Sequence, residues 1–355
     1  MQDDLFEAPL LPVTASDSLA HSAGAKVGLA PAARQWSTVA AQLPPQLFMG
    51  VSTWSYPGWA GLVWDQVYDA SVLANQGLMA YGQHPLMRTV SVDRTFWRPL
   101  DAVQYARMAA QVPEDFRFML KCPNLVTDAL VRGKDGRGQL PNPAFLQPEL
   151  AIQQFVRPAL QGMGQHLGVL VFQISPLPSA QLRQFSKLLD QLDAMLHAVR
   201  TTLQIHADSQ RSDLPIVALE VRDPQWLTPA LAHVLRAHQA TYCLGLHGKM
   251  PPIEAQLPIL RALWPGPLVC RWSLNRSFGP FGYSAAQQRH APFNDIRSPD
   301  PDTRAVLART IAGITKAGQP AFVSVSNDAE GCAPCSIALL AQQVLHQFPE
   351  QCPEP

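Results

Sequence analysis

Short apolar runs alternate along the chain with segments of helical spacing. The runs are rich in Val, Leu, Phe and Ile, which is typical of parallel strands covered on both faces. The predicted strands span residues 47–52, 87–93, 116–121, 168–174, 216–222, 241–246, 267–272 and 321–326. The predicted helices span residues 71–83, 101–112, 145–166, 179–200, 228–238, 253–263, 303–316 and 335–347. This repeated alternation favours an α/β fold, a closed TIM-type (β/α)8 barrel, over an open doubly wound sheet.

Most of the predicted strands end on a polar or charged residue. A strand buried on both faces has little reason to end on an ion, unless the strand ends open onto a common pocket. In a barrel the carboxyl ends of all strands meet at one mouth, so we expect a polar site there. A long polar segment at 273–300 is expected on the same face. The strand-end side chains are Asp93, Lys121, Gln173, Glu220, Arg222, Arg271 and Asn327.

Glu220 and Arg222 lie two positions apart in the fifth predicted strand. Successive side chains of a strand point to opposite faces, so this carboxylate and this guanidinium share a face at a spacing of roughly 7 Å. One interpretation is a buried structural ion pair, which also occurs in barrels without chemistry. The other is a substrate-binding arginine beside a general acid or base. The sequence leaves both open.

Lys121 ends the third predicted strand. A lysine in this position can be a Schiff-base nucleophile, an anion-binding group, or the ion-pair partner of Glu220 or Asp93. A Schiff base requires a depressed pKa, which the residue type does not reveal. We therefore favour charge pairing or anion binding over covalent chemistry as the role of Lys121. Glu220, Asp93 and Lys121 are the candidate catalytic residues.

The segment 52–59, after the first strand, is dense in aromatic and hydroxyl side chains. Aromatic walls with a few placed hydroxyls contact sugars, bases and other ring-shaped ligands. A packed lid over the barrel explains the same composition equally well. Trp54 and Tyr56 are therefore candidate ligand-binding residues. The other ligand-binding candidates are Gln173, Arg222, Arg271 and Asn327.

Cysteine and histidine spacing gives no metal or cofactor site. Cys332 and Cys335 form a C-x-x-C just before a predicted helix, where a thiolate would be favoured. The pair lacks a thioredoxin-like context and a second C-x-x-C, so a redox or metal role is not favoured. The histidines show no H-x-x-x-H or H-E-x-x-H spacing, and no G-x-G-x-x-G or P-loop is present. We predict no metal and no cofactor.

Residues 1–45 are rich in Ala, Ser, Pro and Gly without sustained periodicity, so we predict a mostly disordered tail before a single barrel domain at 46–350. Gln2, Leu5 and Phe6 resemble the Q-x-x-L-F peptide by which bacterial replication and repair proteins dock on the sliding clamp. In a flexible tail, Leu5 and Phe6 would enter an apolar groove while Gln2 forms a hydrogen bond at its edge. These three residues are the candidate partner-binding residues.

Charge and hydropathy narrow the classes of function. The chain has 27 basic and 27 acidic side chains, so as a whole it offers no basic field for a nucleic-acid backbone. No apolar stretch approaches the ~20 residues that span a bilayer. The N-terminus MQDDLFEAPL does not have the pattern of a secretory signal. With its sparse cysteines, the sequence predicts a cytoplasmic protein without a membrane partner.

Several strand-end strings, taken together, resemble one known family. They are GVSTWSYPGW (50–59), VSVDRTFWRP (90–99), FRFMLK (116–121), LGVLVFQISP (167–176), ALEVR (218–222) and NDAEGCA (327–333). In this order they resemble the domain of unknown function 72 family, also called YecE-like, over residues 47–345. The resemblance implies a TIM-type barrel whose biochemical activity is not established.

The chain departs from the family pattern at the candidate site. The family has V-E-I-N-S-T-F-Y where this chain has VSVDRTFW, so Ser91 stands at the glutamate position and Asp93 at the asparagine position. Both positions share the inward face, so we expect that a carboxylate has moved along the strand rather than vanished. Arg271 of the family's Y-x-R-x-H-G is kept, whereas Ser273 and Leu274 replace its His-Gly. An altered or absent family activity would be consistent with these departures.

Two functional hypotheses follow. In the first, the barrel is a hydrolase or lyase whose mouth binds an anionic or polyhydroxylated small molecule, with Glu220 or Asp93 as acid or base. In the second, it is a non-catalytic accessory protein of nucleic-acid metabolism that its tail recruits to the sliding clamp. The sequence does not determine the substrate, the oligomeric state, the effect of Ser91 or whether the tail binds a clamp.

Overall fold

The computed structural model describes residues 26–133, 138–210 and 214–348. The strands in these ranges are β1 (Leu47–Val51), β2 (Thr89–Val92), β3 (Arg117–Lys121), β4 (Leu130–Arg132), β5 (Gly138–Pro141), β6 (Leu167–Gln173), β7 (Ile216–Glu220), β8 (Thr241–Leu246), β9 (Leu268–Trp272) and β10 (Ala321–Val325). All except β4 and β5 pair in parallel and close a barrel in the order β1-β10-β9-β8-β7-β6-β3-β2. The short strands β4 and β5 form a separate antiparallel ladder. The predicted TIM-type barrel is confirmed.

Helices follow the barrel strands, as the hydrophobic spacing predicts. The α-helices are α1 (Ser37–Gln42), α2 (Ala70–Gly82), α3 (Ala102–Ala109), α4 (Asn124–Thr127), α5 (Pro148–Ala151), α6 (Arg157–Met163), α7 (Ser179–Leu182), α8 (Phe185–Gln210), α9 (Pro229–Ala237), α10 (Ile253–Ala262), α11 (Tyr283–His290), α12 (Pro301–Lys316), α13 (Asn327–Glu330) and α14 (Ala333–Leu345). A π-helical turn, Ile152–Val156, joins α5 to α6. The 3-10 turns are Pro31–Trp36, Pro57–Trp59, Asp93–Phe96, Gly164–His166, Pro224–Trp226 and Arg276–Phe278. Across the described ranges, no helix is long and apolar enough to cross a membrane.

The barrel has an apolar interior beneath a polar mouth. The interior is filled by a small cluster of inward side chains: Met119, Val169, Val171, Ala218, Cys243, Val269 and Phe322. Because side chains alternate between the faces of a strand, the residue two positions after such a side chain also points inward, but nearer the carboxyl end. That position is Lys121 in β3, Gln173 in β6, Glu220 in β7 and Arg271 in β9. The alternation therefore places four polar side chains on the carboxyl-end side of this apolar cluster.

Helical structure is present before residue 46, within the segment predicted as a mostly disordered tail. Residues 31–42 form the 3-10 turn Pro31–Trp36 and helix α1, and Val27, Ala30 and Ala33 are buried. These short helices were missed because the segment is rich in Ala and has no sustained periodicity, although Trp36 and Val39 pack against the core. Residues 1–25 lie outside the described residues, and with them Gln2, Leu5 and Phe6. The predicted disorder and clamp-binding peptide therefore stay predictions.

Candidate active site at the mouth of the barrel

Arg271 joins three parts of the barrel at the mouth. Its Nη1 donates to Oε2 of Glu220 at 2.5 Å and to Oε1 of Gln173 at 3.2 Å. Its Nη2 donates to Oδ2 of Asp93 at 2.6 Å. The guanidinium, on β9, thus connects the ends of β7 and β6 to the turn after β2. Arg271 therefore brings three other predicted site residues together: Asp93, Gln173 and Glu220.

Glu220 lies between two guanidinium groups. Nη2 of Arg222 is 2.6 Å from Oε1 of Glu220 and donates to Oε1 of Gln173 at 3.0 Å. Burial would raise the pKa of Glu220, but Arg222 and Arg271 outweigh it and lower that pKa to about 2. Glu220 is therefore ionised at any physiological pH. This geometry fits the structural ion-pair interpretation, and Nη1 of Arg222 is buried with no hydrogen-bond partner in the described chain.

Lys121 has a different environment from the arginines. Its Nζ lies 3.7 Å from the ring centroid of Phe96, and within the described ranges it forms no hydrogen bond or ion pair. Burial lowers the pKa of Lys121 to about 7, although Asp93 opposes this shift. The expected ion pair with Glu220 or Asp93 is not formed, because both carboxylates bind Arg271 instead. The mouth therefore holds an amine that is partly neutral near pH 7.

A hydrogen bond joins Ser91, within β2, to Asp93, the first residue of the turn that follows. The hydroxyl of Ser91 donates to Oδ1 of Asp93 at 2.8 Å, and Oδ2 of Asp93 accepts from Arg271. The side chain of Asp93 is 19% exposed, whereas that of Glu220 is fully buried. Asp93 is therefore the carboxylate of this network that a ligand can reach.

Asn327 and Tyr56 lie on the β10–β1 side of the mouth with Asp328, which sequence reasoning did not select. Burial raises the pKa of Tyr56, Asp328 raises it further, and the Asn327 side chain opposes both. Oδ1 of Asp328 is buried and has no hydrogen-bond partner in the part of the chain that the structure describes. Burial raises the pKa of Asp328 to about 7. Its position next to Asn327, at the start of the short helix that follows β10, was the available signal.

His247 and Tyr283 also belong to the mouth and were missed. His247 follows β8, and its ring centroid lies 5.3 Å from that of Tyr283 on α11. Burial and then Arg222 lower the pKa of His247 to about 3, so its imidazole is neutral. Burial raises the pKa of Tyr283 to about 12. The long polar segment 273–300, expected on this face, supplies Tyr283.

Trp54 stands apart from the ion network. Its indole Nε1 donates to the backbone oxygen of Leu73 at 3.1 Å, and the side chain is part of the main apolar core. The guanidinium of Arg94 lies 5.7 Å from the ring centroid. These contacts fit the packed-lid interpretation for Trp54, whereas Tyr56 belongs to the site. Among the described residues, no group of three or more His, Cys, Asp or Glu could hold a metal ion.

Comparison with known proteins identifies the family. Residues 48–355 match the family described as a protein of unknown function, DUF72. A DUF72 family protein from Thermotoga maritima is 16% identical, with a TM-score of 0.52 over 84% of this chain and 99% of that chain. One from Enterococcus faecalis is 15% identical, with a TM-score of 0.51 over 86% of this chain and 99% of that chain. At these identities the structural similarity shows the fold alone, and no curated protein matches this chain. The family match covers every strand of the barrel except the first residue of β1, so the chain belongs to the DUF72 family.

Proposed function

We propose that the barrel mouth is the active site of a hydrolase or lyase that acts on an anionic or polyhydroxylated small molecule. The observation that supports this most is the surplus of positive charge in a buried network. Arg222, Arg271 and Lys121 face the carboxylates of Asp93 and Glu220, and Lys121 has no ion-pair partner in the described chain. A buried cation without a counter-ion is costly unless a ligand anion or deprotonation relieves it.

In this proposal the arginines bind and Lys121 transfers protons. The unpaired Nη1 of Arg222 is a donor for a carboxylate, phosphate or hydroxyl of the ligand. A lysine whose pKa is about 7 is half neutral at pH 7, where it can accept a proton from the ligand. Asp328, whose pKa is also raised to about 7, supplies a carboxylic acid on the β10 side of the mouth. Glu220 is assigned to positioning, because both of its oxygens are held by arginines.

The test is competitive labelling of Lys121. The protein is acetylated with limiting acetic anhydride between pH 5 and 11, with and without inorganic phosphate, and the peptide carrying Lys121 is quantified by mass spectrometry. We expect a midpoint near pH 7 and slower labelling with phosphate. The exposed Lys187 serves as the internal control, and phosphate should leave its labelling unchanged. A Lys121 midpoint near 10.5, unaffected by phosphate, would refute the proposal.

The second candidate, recruitment to the bacterial sliding clamp in the cytoplasm, rests on Gln2, Leu5 and Phe6 alone. Purified protein passed over immobilised clamp tests it, and the double substitution Leu5→Ala and Phe6→Ala should abolish binding. Replacing Asp3 and Asp4 by Ala is the matched control, because these residues occupy the variable positions of the peptide. Equal retention of all three proteins, or of none, would exclude this role.

A further inference from the structure

Cys332 and Cys335 are in direct contact at the amino end of α14, beside the barrel mouth. Cys332 is the N-cap residue, and its Sγ accepts a hydrogen bond from the backbone N–H of Cys335 at 3.4 Å. The Sγ atoms of Cys332 and Cys335 lie 2.6 Å apart, which is closer than two independent thiols pack. The turn before them is fixed at Gly331, whose φ of +118° and close approach to the backbone of Asp295 exclude a side chain. The two sulfur atoms therefore meet without any backbone rearrangement.

The two thiols differ in access and in acidity. Cys332 is fully buried, whereas Cys335 is partly exposed to solvent. The adjacent Cys332 thiol lowers the pKa of Cys335, against smaller opposing effects of burial and of Asp295. Cys335 also lies in the first turn of a 13-residue helix, where the helix dipole favours a thiolate. Cys335 therefore has the properties of an attacking thiolate, and Cys332 those of a resolving thiol.

The other described cysteines have the opposite properties. Cys122, Cys243 and Cys270 are each fully buried, and burial raises the pKa of each thiol. A buried neutral thiol neither meets a soluble oxidant nor attacks it. The helix N-terminus, the contact between the sulfurs and the partial exposure thus coincide at Cys332 and Cys335.

We propose that Cys332 and Cys335 are a thiol–disulfide exchange site for low-molecular-weight disulfides such as oxidised glutathione. The Cys335 thiolate attacks one sulfur of the oxidant, which releases one glutathione thiolate and leaves a mixed disulfide. Cys332 then attacks Sγ of Cys335 and gives its proton to the glutathione thiolate released in the first step, and the second glutathione leaves as a thiolate. The two cysteines are oxidised to one intramolecular disulfide, and one glutathione disulfide is reduced to two thiols.

The site is connected to the pocket by one backbone hydrogen bond. The N–H of Ala333, between the two cysteines, donates to Oδ1 of Asn327 at 2.8 Å. Asn327 in turn faces Tyr56 at the mouth. The exchange site goes beyond the proposed function and does not depend on it, because the chemistry requires no pocket ligand.

The test is a peptide mass analysis of the full-length protein after incubation with oxidised glutathione, in a Cys352→Ser background that removes the cysteine outside the described residues. The peptide carrying Cys332 and Cys335 should lose two hydrogen atoms, and dithiothreitol should restore its mass. Limiting iodoacetamide should label Cys335 about tenfold or more faster than Cys122, Cys243 or Cys270, because only its thiolate is both formed and accessible.

Two single variants separate exchange from nonspecific oxidation. Cys332→Ser should accumulate a stable glutathione adduct at Cys335, because no resolving thiol is present. Cys335→Ser should stay unmodified, because Cys332 is buried. The proposal is overturned if both cysteines of the parent protein remain thiols, or if it keeps the same glutathione adduct as Cys332→Ser.

Discussion

Two buried arginine–carboxylate clusters in this barrel differ in their balance of charge. Arg304 of α12 and Glu330 of α13 form a one-to-one pair at 2.5 Å, and Glu330 also accepts from the backbone N–H of Asp300 at 2.7 Å. At the mouth, the ion pairs of the described residues join Arg222 and Arg271 to Asp93 and Glu220, and Lys121 has no such partner. The first cluster is charge-balanced and joins two helices, whereas the second has a surplus cation whose amine titrates near neutral pH. Both clusters contain buried ion pairs, so the charge imbalance is the feature that distinguishes the proposed site from the structural pair.

The largest effects are expected from removing the carboxylate of either cluster. Glu220→Gln and Glu330→Gln should each lower the free energy of unfolding by roughly 3–5 kcal/mol, because each leaves a buried guanidinium without its counter-ion. Urea unfolding measures this loss. The two variants should differ in acetylation of Lys121: the Glu220 variant should lower the pKa of Lys121 further, since that carboxylate raises it, and the Glu330 variant should not. Equal shifts of the Lys121 pKa in both variants would show that the two clusters do not differ in their effect on Lys121.

The pH dependence of stability should depend on Lys121. Because its pKa is lowered from 10.5 to about 7, the unfolded chain binds one more proton than the folded chain between these values. Stability should therefore rise with pH through this window, by up to about 1.4 kcal/mol per pH unit from this group. Lys121→Met should remove that part of the slope and be stabilising at pH 7 or below. Urea unfolding at several pH values measures it, and an unchanged slope would contradict the lowered pKa.

An intermediate loss of stability is expected from changing Asp93, the carboxylate that lies two positions after the glutamate position of the family pattern. Asp93→Asn should cost roughly 1–3 kcal/mol, because Nη2 of Arg271 loses its charged partner. Adding Ser91→Glu restores a carboxylate on the same inward face and should recover most of the loss. Thermal unfolding of the single and double variants measures this. A double variant no more stable than Asp93→Asn would show that the family position cannot serve Arg271 in this chain.

The smallest effect is expected at an exposed ion pair. Nε of Arg88 is 3.6 Å from Oδ2 of Asp115, whose side chain is 70% exposed. Asp115→Asn should change stability by about 0.2–1 kcal/mol at low salt and by less at high salt, because water and ions screen such a pair. Urea unfolding at low and high salt provides the baseline against which the two buried clusters are compared.

The strand pattern predicted much of the candidate site because one local rule governs it. Each inward residue at a strand end is fixed by alternation and by the parallel barrel, and this rule located Lys121, Gln173, Glu220 and Arg271 correctly. Residues beyond the strand ends were harder. Asp328 lies on the short helix α13, His247 follows β8, and Tyr283 is reached only because a long segment folds back as α11.

The amino-acid sequence by itself determined the alternation of strands and helices along the chain, the family and the inward face of each strand, since side-chain alternation and hydrophobic spacing are properties of neighbouring residues. Only the tertiary structure decided which charges meet. Arg271 binds Asp93, which is 178 positions away in the sequence. The ammonium group of Lys121 lies over the ring of Phe96 rather than against a carboxylate. These choices depend on the order of strands around the closed ring and on burial, which no local pattern encodes. The pKa of Lys121 follows from these contacts, because desolvation depends on the position of a side chain in the folded protein and not on its neighbours in the sequence.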